Sequence, residues 1–171
     1  MLSDDQTPIL MDFGSALPAR IPIPDRRTAL LQQDAAAEQC SMAFRAPELF
    51  DVKTGITLTE SVDIWSLGAT LYAMAYGTSP FETSQQSEHG GSIAMAVMNG
   101  KYSFPSSDGG YSEGVRELVR MCLVVKPENR PAIDAVSQVI EASTPSLHFY
   151  SLTSFSEQVI EATEKCMARL Q

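Results

Sequence analysis

The stretch that decides the fold is SVDIWSLGATLYAMAY, residues 61–76. Asp63 is its one charged residue, and apolar side chains occupy nearly every side of the helix that this run predicts. A helix that is apolar all round is covered by other elements of the same core. The run therefore predicts the central helix of a mainly helical domain.

Helical patterns account for most of the remaining chain. A segment rich in strong helix formers predicts a helix from Thr28 to about Gln39, with Thr28 as its N-cap. Further helices are predicted over 92–99 and 112–125, and Pro131 suits the first turn of another. The apolar positions that this last helix is expected to bury are Ile133, Val136, Val139 and Ile140. A short apolar run at 7–11 predicts the one strand, so the expected class is mainly α with little strand.

Composition and charge exclude several classes of protein. The 171 residues are 44% hydrophobic and 19% charged, which is ordinary for one globular domain and excludes extensive disorder. The net charge of −9 argues against a nucleic-acid partner and against contact of this segment with an anionic membrane surface. The start, residues 1–5, lacks the pattern of a signal peptide, and Leu2 stands where N-myristoylation needs a glycine.

The cysteines indicate the compartment. Cys40, Cys122 and Cys166 are odd in number and widely spaced, and the chain has only two histidines. This pattern argues against both a disulfide framework and a zinc site. We therefore expect a reducing, intracellular and cytoplasmic location.

Four short motifs occur in a fixed order along the chain. Asp12-Phe13-Gly14 follows the apolar run, and Ala46-Pro47-Glu48 comes next. Asp63 to Gly68 opens the apolar helix, and Asn129-Arg130-Pro131 precedes the last core helix. Each motif alone is weak, but all four in this order and context make a strong signal. Together they resemble the C-terminal half of a eukaryotic serine/threonine protein kinase domain.

Details of the likeness indicate one kinase family. A helix-forming insert precedes CSMAFRAPE, residues 40–48, and Leu71-Tyr72-Ala73-Met74 is followed by Gly77 and Pro80. These features resemble the Numb-associated kinase family, and within it a myristoylated and palmitoylated member. The resemblance covers about residues 7–142. It implies a partial kinase domain over 1–144, namely the C-lobe from the metal-binding triplet onward, and 145–171 are expected to form a linker and a C-terminal amphipathic helix.

The resemblance also implies roles for particular residues in ATP binding. Asp12 would coordinate the Mg²⁺ that bridges the ATP phosphates, since a hard cation prefers carboxylate oxygen. Phe13 would pack under the cleft, and Gly14 would supply the backbone freedom that lets the triplet move. The competing interpretation of Asp12 is an ordinary turn residue.

Other positions have implied roles outside metal binding. Ser41 would line the platform for a protein substrate carrying Ser or Thr, although an ordinary loop hydroxyl is its alternative. Glu48 and Arg130 would form a buried ion pair that ties the activation segment to the lower lobe. Asp63 would accept backbone N–H bonds from the catalytic loop, or else only stabilise the start of its helix. Trp65 and Met74 are expected in the core, with no role in cofactor binding.

The groups that phosphoryl transfer also requires are absent from these residues. The sequence has no Gly-rich loop, no Val-Ala-Ile-Lys-like strand and no His-Arg-Asp loop, so no complete catalytic set is present. Its beginning looks like the strand and turn just after a catalytic-loop Asn. We therefore expect a fragment of a serine/threonine kinase that is inactive alone and does not bind ATP and Mg²⁺ tightly, whereas the full-length parent would use both.

A non-catalytic, pseudokinase-like interaction or scaffold module is the alternative. Without the elements that precede Met1, the apolar face formed by residues such as Trp65, Leu71 and Met74 would lie partly open. A capping partner, with the tail helix at 155–170 as one candidate, would then be needed. The resemblance further suggests that a full-length parent is associated with membranes or the Golgi.

Overall fold

The computed structural model describes residue 9 and residues 11–82, 92–106 and 113–143. Its helices are α1 (Arg26–Gln39), α2 (Ser61–Tyr76), α3 (Ile93–Met98), α4 (Glu113–Cys122) and α5 (Ile133–Ser143). Two short strands, β1 (Ile21–Ile23) and β2 (Ile56–Leu58), pair antiparallel with Ile21 opposite Leu58. Single 3₁₀ turns span Phe13–Ser15, Pro47–Leu49 and Pro127–Asn129. The expected mainly α class is therefore confirmed.

The chain divides into two compact units. One unit comprises Pro18–Val139, and the other comprises Met1–Leu17 together with Ile140–Gln171. The strand predicted at 7–11 lies outside the described residues except for Ile9 and Met11, neither of which is in a strand. The predicted tail helix lies wholly outside them.

Helix α1 begins earlier than the sequence pattern predicted. Asp25, in extended conformation, is the N-cap, and its Oδ1 accepts a hydrogen bond from the Thr28 backbone N–H at 2.7 Å. The prediction of Thr28 as the cap was therefore wrong, because Thr28 supplies the donor and Asp25 the acceptor. The carboxylate satisfies one of the N–H groups that the first turn leaves without an intrahelical partner.

The start of helix α5 also differs from the prediction. The helix begins at Ile133, so Pro131 precedes it and does not lie in its first turn. Ile133, as the first helical residue, lies outside the packed face and is exposed, which corrects its expected burial. Val136, one turn further on, is buried as predicted.

The small sheet was not foreseen from the sequence. Strands of three residues, one of them with Pro22 at its centre, are too short to show an alternating pattern. The sheet nevertheless has its own cluster of buried side chains, which comprises Ile23, Ala29, Val52 and Leu58. Through this cluster, the first turn of α1 packs against the two strands.

Helix α2 supplies the centre of the main core. Trp65, Ala69 and Tyr72 are buried against side chains that include Phe81, Val97 and Val119. The Trp65 and Phe81 rings are stacked at 5.6 Å between centroids. Such contacts add to the free energy of burying two large rings.

One side of α2 carries exposed apolar side chains. Met74 is 74% exposed, Leu67 is 40% exposed, and Leu71 is only partly buried. The expectation that other helices cover α2 all round is therefore wrong for this side. Met74 therefore lies on the open face, and its expected place in the core is wrong. Trp65 has no exposed surface, so it lies in the core as expected and not on the open face.

Helices α2 and α4 approach closely at Gly68. A Cβ atom built on Gly68 would lie 2.5 Å from the Cβ of Cys122 and 3.2 Å from the Cγ of Leu123. Cys122 is buried, which raises the pKa of its thiol to about 11 and keeps it neutral. Glycine at position 68 therefore sets the distance between these two helices.

We expect Gly68→Ala to destabilise the fold. The added methyl forces α4 away from α2, and overpacking of this kind costs roughly 1–3 kcal/mol in the free energy of unfolding. Urea denaturation followed by Trp65 fluorescence measures the change. Thr70→Ala, on the exposed side of the same helix, is the control and should stay within about 0.5 kcal/mol. Equal stability of the two variants would contradict the close approach.

Candidate functional site

The Asp12-Phe13-Gly14 motif forms a tight turn. Asp12 adopts a left-handed conformation with φ 67°, and the Ala16 N–H donates to the Phe13 carbonyl at 3.1 Å. A non-glycine residue with positive φ is uncommon, and such residues cluster at functional sites. The Asp12 side chain is exposed and Phe13 is partly buried. The turn thus presents a carboxylate to solvent.

Ser41 lies in a turn directly after α1. Its carbonyl accepts hydrogen bonds from the backbone N–H groups of Phe44 and Arg45, at 3.0 and 3.1 Å. The residue itself is exposed, whereas Ala43 and Ala46 nearby are buried. The segment that contains Ser41 is therefore anchored on one side and open on the other.

Arg45 anchors that segment to α1. Its Nη2 donates to the carbonyls of Ala37 and Cys40, at 3.2 and 2.9 Å, and its guanidinium carbon lies 4.9 Å from the centre of the Phe50 ring. A guanidinium at the C-terminus of a helix interacts favourably with the helix dipole. Sequence analysis assigned no role to Arg45, although the residue lies immediately before the Ala46-Pro47-Glu48 motif.

The structure brings Glu48 and Arg130 together in a bidentate ion pair. The Arg130 Nη1 and Nη2 groups donate to Glu48 Oε1 and Oε2 at 2.7 and 2.6 Å. The exposed fraction of the side chain is 0% for Arg130 and 11% for Glu48. A carboxylate and a guanidinium in this planar geometry make two charge-assisted hydrogen bonds. The pair links the turn at Pro47–Leu49 to the segment before α5.

Arg130 uses its remaining donors on the backbone. Its Nε donates to the Val124 carbonyl at 2.7 Å, Nη1 to Ser61 at 2.8 Å and Nη2 to Val125 at 3.0 Å. Each of the five guanidinium N–H groups therefore has an acceptor. This full set of bonds offsets the desolvation of the buried charge, and it joins three separate parts of the chain.

Trp65 lies under the same guanidinium. The Arg130 guanidinium carbon is 5.2 Å from the centre of the indole, within the range of a cation–π interaction. Within the part of the chain that is described, the buried Trp65 Nε1 has no hydrogen-bond partner. Trp65 is therefore a packing residue that also supports the ion pair.

Asp63 lies in the first turn of α2. Its carboxylate has no hydrogen-bond or ion-pair partner among residues 11–82, 92–106 and 113–143. The residue keeps exposed surface, yet neighbouring atoms remove water from the carboxylate and raise its pKa above the ordinary value. The Asp63 carboxylate oxygens can therefore accept hydrogen bonds, but no described residue donates one to them.

We expect the stability of the Asp63→Asn variant, relative to that of the wild-type protein, to increase as pH rises. A raised folded-state pKa contributes stability that is fully present below the unfolded pKa and is lost as pH rises through the folded pKa. Asn does not titrate, so its free energy of unfolding relative to the wild-type protein should increase between about pH 3 and pH 7. Urea denaturation at several pH values tests this.

Asp25→Asn is the matched control for that series. The Thr28 N–H lowers the pKa of Asp25, so its stabilising contribution is present above the unfolded pKa and is lost as pH falls. The two variants should therefore show pH dependences of opposite sign. The same sign for both would contradict the described environment of Asp63.

No group of three or more His, Cys, Asp or Glu side chains in the described part of the chain could hold a metal ion. No helix among the described residues is both long enough and apolar enough to cross a membrane.

Comparison with known proteins places these features in a family. A model of the protein kinase domain matches residues 1–140. The chain is 47% identical to serine/threonine-protein kinase ppk13 of Schizosaccharomyces pombe over 72% of its length and 35% of the relative's. It is 40% identical to mouse serine/threonine-protein kinase 16 over 85% of its length and 46% of the relative's. The yeast serine/threonine-protein kinase ENV7 is 36% identical over 82% of the chain and 38% of the relative.

Each match covers most of this chain but only part of the relative. The chain spans less than half the length of each of these curated relatives. The four motifs found in the sequence lie within the matched region, including the two that supply the Glu48–Arg130 pair. The chain belongs to the protein kinase family, and its relatives are serine/threonine kinases.

Proposed function

We propose that this chain forms the C-lobe part of a serine/threonine protein kinase, from the metal-binding triplet onward, within the Numb-associated group. The kinase would transfer the γ-phosphoryl group of ATP to Ser or Thr hydroxyls of a protein. The observation that carries the proposal is the buried Glu48–Arg130 pair, since it joins two of the four ordered motifs across the fold. The match to the kinase model over residues 1–140 supports it.

The metal and nucleotide chemistry fits the Asp12 turn. Mg²⁺ is commonly bound through one or two carboxylates together with substrate phosphates, and so needs no closed cage of protein ligands. The exposed Asp12 carboxylate fits this requirement. Mg²⁺ bound with ATP would neutralise negative charge on the phosphates during transfer. Phe13 and Gly14 would shape the turn that holds the Asp12 carboxylate.

The substrate platform is assigned to the segment that carries Ser41. Arg45 and the Glu48–Arg130 pair anchor this segment, while Ser41 remains exposed. Such an arrangement can hold a peptide against a fixed backbone. The protein substrate would contact this open side.

A hybrid enzyme tests the proposal. The part of mouse serine/threonine-protein kinase 16 that precedes its aligned region would be joined to residues 1–171. We expect the hybrid to phosphorylate Ser or Thr in a general protein substrate when Mg²⁺ and ATP are present, because it combines all the parts of a phosphoryl-transfer site. A folded hybrid without activity would overturn the proposal.

Ser41→Ala in this hybrid should lower kcat/KM with little change in thermal stability. The expectation follows from the exposed position of Ser41 within an anchored segment. Steady-state kinetics with a peptide substrate, read with the thermal midpoint, separates the two effects. Thr54→Ala, at an exposed loop position, is the control. Kinetics of Ser41→Ala that equal those of this control would make Ser41 an ordinary loop residue.

A non-catalytic interaction module is the second candidate, and the exposed side of α2 favours it. Leu67 and Met74 are exposed there, and Asp63 lacks a donor from the described residues. A capping partner for this face would bring apolar side chains and N–H donors. Two results together would favour this candidate. The 171-residue chain would bind a hydrophobic dye, with less binding in the Met74→Ser variant, and the hybrid enzyme would show no kinase activity.

The location follows from the same proposal. The cysteine pattern favours a reducing, cytoplasmic compartment. The likeness to a lipid-modified kinase favours association of a full-length parent with membranes or the Golgi.

A further inference from the structure

Ser66 connects the central helix to the segment that carries Ser41. It lies in the second turn of α2, and its Oγ donates to the Phe44 carbonyl at 3.0 Å. The described residues contain no other donor to this carbonyl. The Val62 carbonyl, 3.2 Å from the same Oγ, is a second acceptor within α2. The hydroxyl therefore makes one contact inside its own helix and one with a residue 22 positions away.

One peptide unit carries this contact on to Ser41. The Phe44 carbonyl and the Arg45 N–H belong to the same planar unit, so they turn together. The Arg45 N–H donates to the Ser41 carbonyl at 3.1 Å. Ser66, the 44–45 peptide unit and Ser41 thus form one chain of hydrogen bonds, and bonds in such a chain strengthen one another. Rotation of that unit would weaken both hydrogen bonds at once.

The fold of this segment does not depend on Ser66 alone. Glu48 is held by its ion pair with Arg130, and the Arg45 side chain is held by carbonyls at the end of α1. Both anchors remain when the Ser66 hydroxyl is removed. Such a change takes away the direct hydrogen bond from α2 to the turn that begins at Ser41.

We propose that Ser66 is a positioning residue for the substrate platform. Its hydroxyl fixes the orientation of the 44–45 peptide unit, and that unit fixes the backbone of the exposed residue Ser41. Ser66 acts through Ser41 and does not itself touch the protein substrate. This role rests on the proposed kinase function, because it concerns the platform assigned to the segment that carries Ser41.

The kinetics of Ser66→Ala in the hybrid kinase test this role. We expect KM for a peptide substrate to rise about fivefold, since the loss of one neutral hydrogen bond changes an equilibrium by about this factor. KM for ATP and kcat should stay close to those of the unchanged hybrid. Partial unfolding would instead lower kcat, because it reduces the amount of active enzyme and leaves both KM values unchanged.

Ser137→Ala is the matched control. The Ser137 hydroxyl donates to the carbonyl of Ile133, four residues earlier in α5, at 3.0 Å. The substitution removes the same chemical group from a helix and leaves the segment that carries Ser41 unchanged. Its KM for the peptide should therefore equal that of the unchanged hybrid.

A double variant shows whether Ser66 acts through Ser41. In the Ser41→Ala hybrid, the further change Ser66→Ala should raise KM for the peptide by less than about twofold, because the hydroxyl that Ser66 positions is already gone. Two independent residues would instead show the same fivefold effect of Ser66→Ala, about as large in this background as in the unchanged hybrid.

The outcomes separate this role from the kinase function. A raised peptide KM that disappears in the Ser41→Ala background supports the positioning role. An active hybrid in which Ser66→Ala and Ser137→Ala have equal peptide KM values overturns the role and leaves the kinase function standing. An undiminished effect in the Ser41→Ala background also overturns the role alone. A folded hybrid without activity overturns the kinase function, and the positioning role falls with it.

Discussion

Glu48→Ala should cost about 3–5 kcal/mol in the free energy of unfolding, which is the usual cost of leaving a buried charge without its partner. The Arg130 side chain has no exposed surface and cannot turn to water when the carboxylate is removed. It also cannot move without breaking its bonds to the Ser61, Val124 and Val125 carbonyls. Small domains have a total stability of roughly 5–15 kcal/mol, so this loss is a large fraction of it.

The measurement has a built-in probe and a matched control. Trp65 is the only tryptophan of the chain and lies under Arg130, so its fluorescence during urea denaturation reports on this region. Arg20→Ala breaks an exposed ion pair, Arg20–Glu60 at 3.3 Å, and should cost no more than about 1 kcal/mol. If Glu48→Ala cost no more than this control, the pair would not be the link between the two motifs.

Asp12→Ala in the hybrid kinase should lower kcat by a factor of about 100 to 1,000 or more, the range seen when one electrostatic stabiliser of a transition state is removed. The methyl group removes the carboxylate proposed to hold Mg²⁺, while the exposed position of Asp12 limits the effect on folding. Phosphate transfer at saturating ATP, compared over a range of Mg²⁺ concentrations, measures the loss. Ser15→Ala in the same exposed turn is the control and should leave the rate nearly unchanged. Equal rates for the two variants would remove Asp12 from metal binding.

The sequence was sufficient for the features that depend on long patterns. Helix α2 has the predicted bounds because its apolar run is long and Gly77, with positive φ, ends it. The pairing of Glu48 with Arg130 followed from the motif resemblance, since 82 positions separate the two residues and no local pattern connects them.

Other features depend on tertiary packing and could not be predicted locally. The β1–β2 sheet arises because Ile23 and Leu58 share one small core, although neither strand shows a strand pattern alone. The burial of Arg45 depends on carbonyls at the end of α1. The open side of α2 depends on which elements surround the helix, and its own composition contains no information about them.

We propose that this chain supplies the Mg²⁺ carboxylate and the substrate platform of a kinase, and that phosphoryl transfer also needs groups outside these residues. Incorporation of labelled phosphate from ATP into a Ser/Thr protein substrate tests it most directly, with the purified 171-residue chain and the hybrid enzyme assayed side by side. We predict background incorporation by the chain alone and Mg²⁺-dependent incorporation by the hybrid. Incorporation by the chain alone that Asp12→Ala abolishes would contradict the claim.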